Sequence, residues 1–228
     1  FSSFTYARIP ASAEIIIAAA LPLIIGVASY KLNAADLSGA LAGVLSGLLM
    51  ILFGGMGWFA LLLVFFFLGT LFTKYKYRYK IEVGAAQSNK GSRGYRNVFG
   101  NCLIPLIFVV GYGAIGSFEL PYVGHVDSVI FIMGYLGAMA KATADTIASE
   151  IGSTYRGEPR MITTLKKARP GTDGAVSPLG EASALFGSVA IAVVAIATGV
   201  AGPDAGVAFL LAVLGGFLLG LIELLTIA

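Results

Sequence analysis

The side chains most able to do chemistry lie together in one stretch. Lys141, Asp145 and Ser149 are spaced by four residues and would share one face of a helix. Thr146 and Glu150, again four apart, flank that face, and Gly134, Ala138 and Ala142 continue it with small side chains. Carboxylates and hydroxyls without histidine or cysteine are hard oxygen donors, which suit Mg²⁺ rather than Zn²⁺. Magnesium takes one or two carboxylates and completes its shell with water and phosphate oxygens. The pattern therefore predicts a metal-and-phosphate site, with Asp145 and Glu150 as metal ligands and Lys141 beside them. The plainer reading of Lys141 and Asp145 is an ion pair that neutralises itself where a helix reaches water. That reading leaves Glu150 and the hydroxyls unexplained.

A second segment supports phosphate chemistry. Lys166, Lys167 and Arg169 precede Gly171-Thr172-Asp173-Gly174, whose flexible backbone could turn N–H groups toward an anion. Ser177, four residues before Glu181, could offer a hydroxyl at the positive end of the next helix. A solvated turn in which Ser177 or Pro178 merely starts that helix is the competing reading. Lys74, Arg96, Asn97 and Asn101 are further polar groups that flank apolar runs, where helix caps and interfacial anchors are also found. No Walker A sequence occurs. One cysteine, Cys102, excludes an internal disulfide and a multi-cysteine metal site, and one histidine, His125, excludes paired-histidine zinc motifs.

These groups must be positioned by apolar elements. Of 228 residues, 57% are hydrophobic and 12% charged, against about 25% charged in a soluble domain. Mean hydropathy is +0.88. A disordered chain, a basic nucleic-acid-binding domain and a water-soluble enzyme are thereby excluded, and an all-α, polytopic membrane bundle is expected as a single domain over residues 1–228. The 30 glycines fit, because small residues let membrane helices approach closely. Seven apolar runs are candidate spans: Ala13–Tyr30, Leu37–Gly54, Met56–Thr73, Val98–Phe118, Ser128–Thr146, Glu181–Val200 and Ala205–Ile227. The 37 residues from Leu37 to Thr73 are far too many for one crossing of about 20 residues, so the glycines at 54, 55 and 57 must separate two helices.

Charge then sets the expected orientation. Twelve of the 15 basic residues fall in Lys74–Arg96 and Arg156–Arg169. Two spans separate these segments, so both lie on one face, and basic loops stay cytoplasmic. The loops near 74–97 and 150–180 are thus placed inside, with the N-terminus outside and the C-terminus inside. The alternating lysines, arginine and tyrosines at Lys74–Lys80 read as interfacial anchors or phosphate contacts; stacking on nucleic acid is disfavoured beside a span. Glu119, His125, Asp127 and Asp204 are expected to be solvated outer-loop groups. Glu223 is an acid deep in the last run that could pair with Lys141.

The string Ala144-Asp145-Thr146-Ile147-Ala148-Ser149-Glu150-Ile151-Gly152, followed by Gly171-Thr172-Asp173-Gly174-Ala175-Val176-Ser177-Pro178-Leu179-Gly180, resembles the signature of the DUF92 integral membrane family, which includes TMEM19-like proteins and plant phytyl-phosphate kinase. Leu68–Lys76, Arg96-Asn97-Val98-Phe99-Gly100-Asn101, Gly39-Ala40 and Gly54–Phe59 are also similar to it. The family's frequent Gly-Ser-x-x-Asp-Ser segment near the C-terminus is replaced here by Gly220-Leu221-Ile222-Glu223-Leu224-Leu225, so the resemblance assigns the last span no role.

The resemblance implies Mg²⁺-dependent transfer of a phosphoryl group from CTP to an isoprenoid monophosphate of phytyl or geranylgeranyl type. Asp145 and Glu150 would hold the metal. Lys141, Lys74, Arg96, Lys166 and Lys167 would hold phosphates, with Asn97 and Asn101 orienting them. Gly171, Thr172, Gly174 and Ser177, with Thr146 and Ser149 nearby, would wrap the nucleotide. The partners implied are the lipid bilayer, the isoprenoid monophosphate and CTP or another nucleoside triphosphate, without nucleic acid; a homo-oligomer is compatible. Two other readings use the same residues: a CTP-dependent nucleotidyltransferase of the CDP-lipid synthase type, and a transporter or scramblase. The second would want its charges near the bilayer midplane, whereas these cluster at one interface.

Overall fold

A computed structural model describes residues 12–87, 91–117, 128–172, 174–203 and 205–227. Glu119, His125, Asp127, Asp173, Asp204 and the side chain of Glu223 lie outside the described residues, so the outer-loop expectations and the Glu223 pairing fall there too.

The chain forms a helical bundle, because backbone groups surrounded by lipid must be satisfied within their own segment. The long helices are α1 (Ser12–Lys31), α2 (Leu37–Gly54), α3 (Met56–Lys74), α5 (Tyr95–Ser117), α6 (Ser128–Gly152), α7 (Pro178–Ala197) and α8 (Ala205–Ile227), with a short α4 (Tyr77–Glu82) after α3. Each overlaps one of the seven expected runs, with ends that differ by up to six residues. Among the described residues, α2, α3, α5 and α7 are long and apolar enough to cross a membrane, and α1 and α8 contribute the shorter apolar stretches Ala18–Lys31 and Ala205–Leu218. The α6 helix has the length, at 25 residues, but carries Lys141, Asp145 and Glu150 in its second half.

Local chemistry sets the helix ends. Asp36 caps α2 by accepting from Gly39 N–H at 2.9 Å. Gly55 ends α2 with φ +90°, its N–H donating to the Met50 and Ile51 carbonyls, and α3 follows at once. A side chain there would be strained, so a one-residue break separates the two helices that the run length required. Ser177 caps α7 and Pro178 occupies its first position, which starts this helix three residues before the expected Glu181. The α6 helix runs on past Thr146 because Ile147 and Glu150 continue its buried stripe.

The core sits where α2, α3, α5 and α6 meet, around Met50, Trp58, Leu61, Val109, Tyr135 and Met139. The Trp58 ring lies 4.4 Å from Tyr135 and 4.8 Å from Tyr112, centroid to centroid, and the Tyr135 hydroxyl donates to the Trp58 carbonyl at 2.6 Å. The α6 helix packs most extensively on α7 and α8, through small residues: Gly187 lies on Ala144, Gly180 on Gly152 and Gly216 on Ala140. Leu23, Leu45, Phe67, Ile107, Val193 and Leu210 point outward and exposed, an apolar exterior that fits a lipid-facing surface. A small antiparallel hairpin, β1 (Arg160–Met161) with β2 (Ala175–Val176), lies in the α6–α7 connection.

Candidate functional site

Four connections gather at one end of the bundle. Arg93 joins the α4–α5 segment to the α1–α2 turn, where its N–H donates to the Ala34 carbonyl and its carbonyl accepts from Asp36 N–H, both at 3.1 Å. Lys74 Nζ donates to the Leu32 carbonyl at 3.0 Å. Gly171, in the α6–α7 connection, lies against Ala85. The predicted residues Lys74, Arg96, Asn97, Glu150, Lys166, Lys167, Thr172 and Ser177 all belong to this polar end, and Lys141 and Asp145 approach it along α6.

On α6 the structure divides what the sequence joined. Lys141 Nζ stands 3.9 Å from an Asp145 carboxylate oxygen, with side-chain exposures of 28% and 41%. Ser149 is exposed and Thr146 half-buried. Glu150, 4% exposed, points elsewhere. Its Oε1 accepts from the Thr73 hydroxyl at 2.8 Å and its Oε2 from Lys80 Nζ at 2.5 Å. This geometry sets Glu150 apart from Asp145, with which the sequence reading pairs it around one metal. Five residues at about 100° each put Glu150 roughly 140° around the helix from Asp145, so the two carboxylates cannot converge on one ion. Among the described residues no group of three or more His, Cys, Asp or Glu side chains could hold a metal. Asp145, half-exposed with hard oxygens, fits the single-carboxylate attachment that Mg²⁺ commonly uses.

Lys80 and Thr73 are partners that sequence reasoning missed. Lys80 is fully buried and also donates to the Phe72 and Thr73 carbonyls at 2.6 and 3.3 Å. Those carbonyls belong to the last turn of α3, where helical acceptors have no partner of their own and where the helix dipole favours a cation. One ammonium therefore ties α3, α4 and α6 together.

Other predicted residues have defined local duties. Arg96 is exposed and lies over the Tyr95 ring, with Nε 3.3 Å from the Tyr95 hydroxyl. Asn97 is exposed, and its carbonyl accepts from the Asn101 amide at 2.8 Å. Lys166 and Lys167 are exposed on the hairpin, and Lys167 pairs with Glu158 at 2.6 Å, a surface contact of small energetic weight. Gly171 and Gly174 have φ of +81° and +76°. The Thr172 N–H closes a turn on the Arg169 carbonyl at 3.1 Å. The buried Ser177 hydroxyl accepts from Gly180 N–H at 3.1 Å, which makes it a helix cap.

Among the described residues Arg93 is the other buried cation, 7% exposed. Its guanidinium lies over the Phe65 ring at 5.4 Å and against Gly69, while its carbonyl lies against Gly39; a side chain at either glycine would push the arginine out. Burial lowers its pKa and the nearby Glu150 carboxylate raises it in part. Arg93 borders an apolar cleft among α1, α2, α3 and the start of α5. Beside it lies a shallow polar bowl of Asp36, Ser38, Ser92, Gly94, Tyr95, Arg96 and Asn97. Asn97 lines both. In the bowl, the Ser38 hydroxyl and then Gly39 N–H hold the Asp36 carboxyl below the usual aspartate range.

Comparison with known proteins places this chain in a lineage. The chain is 32% identical over 180 residues to Protein VTE6, chloroplastic, of Arabidopsis thaliana, covering 76% of this chain and 50% of that one. It is 33% identical over 176 residues to Protein PGR of the same plant, covering 75% and 60%. To an uncharacterized membrane protein of Methanocaldococcus jannaschii it is 31% identical over 161 residues, covering 71% and 61%. The chain thus spans about half to three fifths of the length of these relatives. No solved structure matches it. The model of the family described as integral membrane protein DUF92 matches residues 20–224, and the chain belongs to that family.

Proposed function

We propose that this protein is a membrane-embedded isoprenoid phosphate kinase that moves the γ-phosphoryl group of CTP onto a prenyl monophosphate. In the reaction an oxygen of the acceptor phosphate forms a bond to the γ-phosphorus. The bond from that phosphorus to the β–γ bridging oxygen breaks, and CDP leaves. The observation that carries the reading is the polar end of the bundle. Cations and hydroxyls from four separate connections collect there, on an exterior otherwise apolar enough to lie in lipid. The resemblance to a family that includes phytyl-phosphate kinase supports the same chemistry.

Phosphoryl transfer asks a protein for positioning and charge rather than covalent work. In this proposal Asp145 holds Mg²⁺, and Lys141 beside it faces the transferred phosphate. The ion, when bound, neutralises charge on the phosphate oxygens. Lys74, Arg96, Lys166 and Lys167 supply further positive charge, Asn97 and Asn101 orient a phosphate, and the Gly171–Gly174 turn with Thr172 borders the nucleotide. Glu150 and Ser177 serve the scaffold. The acceptor is already anionic, so no general base is required. The polar end faces the cytoplasm, with the N-terminus outside, as the basic connections favour.

The test incubates detergent-purified protein with Mg²⁺, γ-labelled CTP or ATP, and a panel of prenyl monophosphates, and then extracts lipid. Label in the prenyl diphosphate, with release of CDP, is the expected outcome, and Asp145→Asn should abolish it in folded protein. Pyrophosphate release with a CDP-lipid product would instead establish the nucleotidyltransferase. Full turnover in Asp145→Asn removes Asp145 from the mechanism.

A further inference from the structure

Among the described residues, three charged side chains are buried: Lys80, Arg93 and Glu150. Glu150 is taken by Lys80. No carboxylate among the described residues stands within ion-pair distance of Arg93, whose guanidinium makes no hydrogen bond there and borders the apolar cleft. The buried set is therefore one positive charge in excess. A buried cation with no carboxylate in contact is unfavourable; Glu150, already engaged by Lys80, offsets the cost of burying Arg93 only in part, and Arg93 borders the cleft. Along α3 the cleft walls run from Phe59 to Phe66, about 10 Å at the helical rise. Gly43 faces it with no atom within 4 Å of where a Cβ would stand. Asn97 lines both the cleft and the bowl, and the bowl also holds Arg96, Ser38 and the Asp36 carboxylate, which the Ser38 hydroxyl and Gly39 N–H engage.

We propose that this cleft seats the hydrocarbon chain of the isoprenoid monophosphate, with its phosphate where the cleft meets the bowl at Asn97, reached by Arg93 from the cleft side and by Arg96 from the bowl side. The proposal rests on the kinase reading and names that reaction's acceptor site. A narrow apolar slot suits a single chain, and a dianionic headgroup matches two guanidinium groups in the fork geometry that arginine offers phosphate. Arg93 is then held by its backbone bridge to the α1–α2 turn so that the bound phosphate supplies an anion in direct contact with it.

The experiment measures equilibrium binding of radiolabelled geranylgeranyl monophosphate to the full chain in detergent, without nucleotide. Geranylgeraniol, inorganic phosphate and dioleoyl phosphatidic acid serve as competitors. Arg93→Gln should weaken binding of the monophosphate at least tenfold and leave competition by geranylgeraniol unchanged. Gly43→Phe, which fills the slot from a position with free space, should also weaken it at least tenfold, and serves if Arg93→Gln does not fold. Unchanged binding in the folded variants overturns the proposal. Equal displacement by phosphatidic acid also overturns it, since the cleft would then be a seat for bilayer lipid. Variant-sensitive binding without any CTP-dependent product sinks the kinase reading and leaves the chain site standing. Product formation indifferent to both substitutions does the reverse.

Discussion

Glu150→Ala is the substitution whose cost the structure fixes most closely. It leaves the Lys80 ammonium, fully buried, with two carbonyls and no carboxylate. Breaking a buried pair by removing one partner costs about 3–5 kcal/mol. For a chain of this size each kcal/mol shifts Tm by about 2–4 °C, so the loss should be about 6–20 °C. Lys80→Met should cost a similar amount, because Glu150 then keeps only the Thr73 hydroxyl as a hydrogen-bond donor and the carbonyls at the end of α3 lose theirs. In the double variant Lys80→Met/Glu150→Leu both charges are gone, and the total should fall short of the summed single losses by about 2 kcal/mol or more. Recovery stays incomplete, since the Phe72 and Thr73 carbonyls remain without the ammonium. The single tryptophan, buried in the core between Tyr112 and Tyr135, reports unfolding by fluorescence in detergent. Single losses that add within about 0.5 kcal/mol refute the reasoning, because they show two side chains that do not interact. A Glu150→Ala variant of unchanged Tm that loses only its Mg²⁺ dependence would return Glu150 to the metal.

Four further outcomes follow from the same geometry. Ser177→Ala removes the α7 cap and should lower stability by about 1 kcal/mol with turnover intact in the folded fraction; selective loss of nucleotide affinity at unchanged Tm would mean that the hydroxyl meets phosphate. Gly39→Ala drives a methyl into the Arg93 carbonyl and should cost about 1–3 kcal/mol, read as a Tm drop that Gly43→Ala, with open space around it, does not show. Ser188 has a buried hydroxyl without a partner among the described residues, so Ser188→Ala should leave Tm unchanged or raise it. Asp36→Asn tests the α2 cap by pH. Because the folded pKa of Asp36 is depressed, its charge stabilises the fold above the ordinary aspartate value of 3.8 and ceases to do so as pH falls through the folded pKa. The Tm gap between wild type and variant should therefore close on acidification, and a gap constant in pH contradicts the charged cap.

How much of this was legible in the chain depends on the range of each interaction. Apolar runs and glycine breaks act within one helix, so the seven long helices could be placed from them, as could the α2–α3 break. Caps act over three residues, and Ser177-Pro178 already permitted the reading as a helix start that the structure displays. The short α4 was obscured because Lys74–Lys80 looks uniformly interfacial. Of its four cations only Lys80 is buried, and it is chosen by Glu150, seventy residues away. Arg93 was obscured in the same way: it counted as one more basic loop residue, and its role depends on Gly39, Phe65 and Gly69 in other helices. The separation of Asp145 from Glu150 is a different matter, since it was available from helix geometry alone. Leu136, Met139, Thr143, Ile147 and Glu150 recur at three- and four-residue intervals on the buried face, whereas Lys141, Asp145 and Ser149 recur on the more open one. One helix thus carries two polar systems with opposite needs. The inward one needs charges matched and water excluded, and it locks α6 to α3 and α4. The outward one leaves the Asp145 carboxylate partly open to solvent, which the metal role proposed for it requires. In the proposed mechanism binding and release fall to the second face, and the first face keeps it in place.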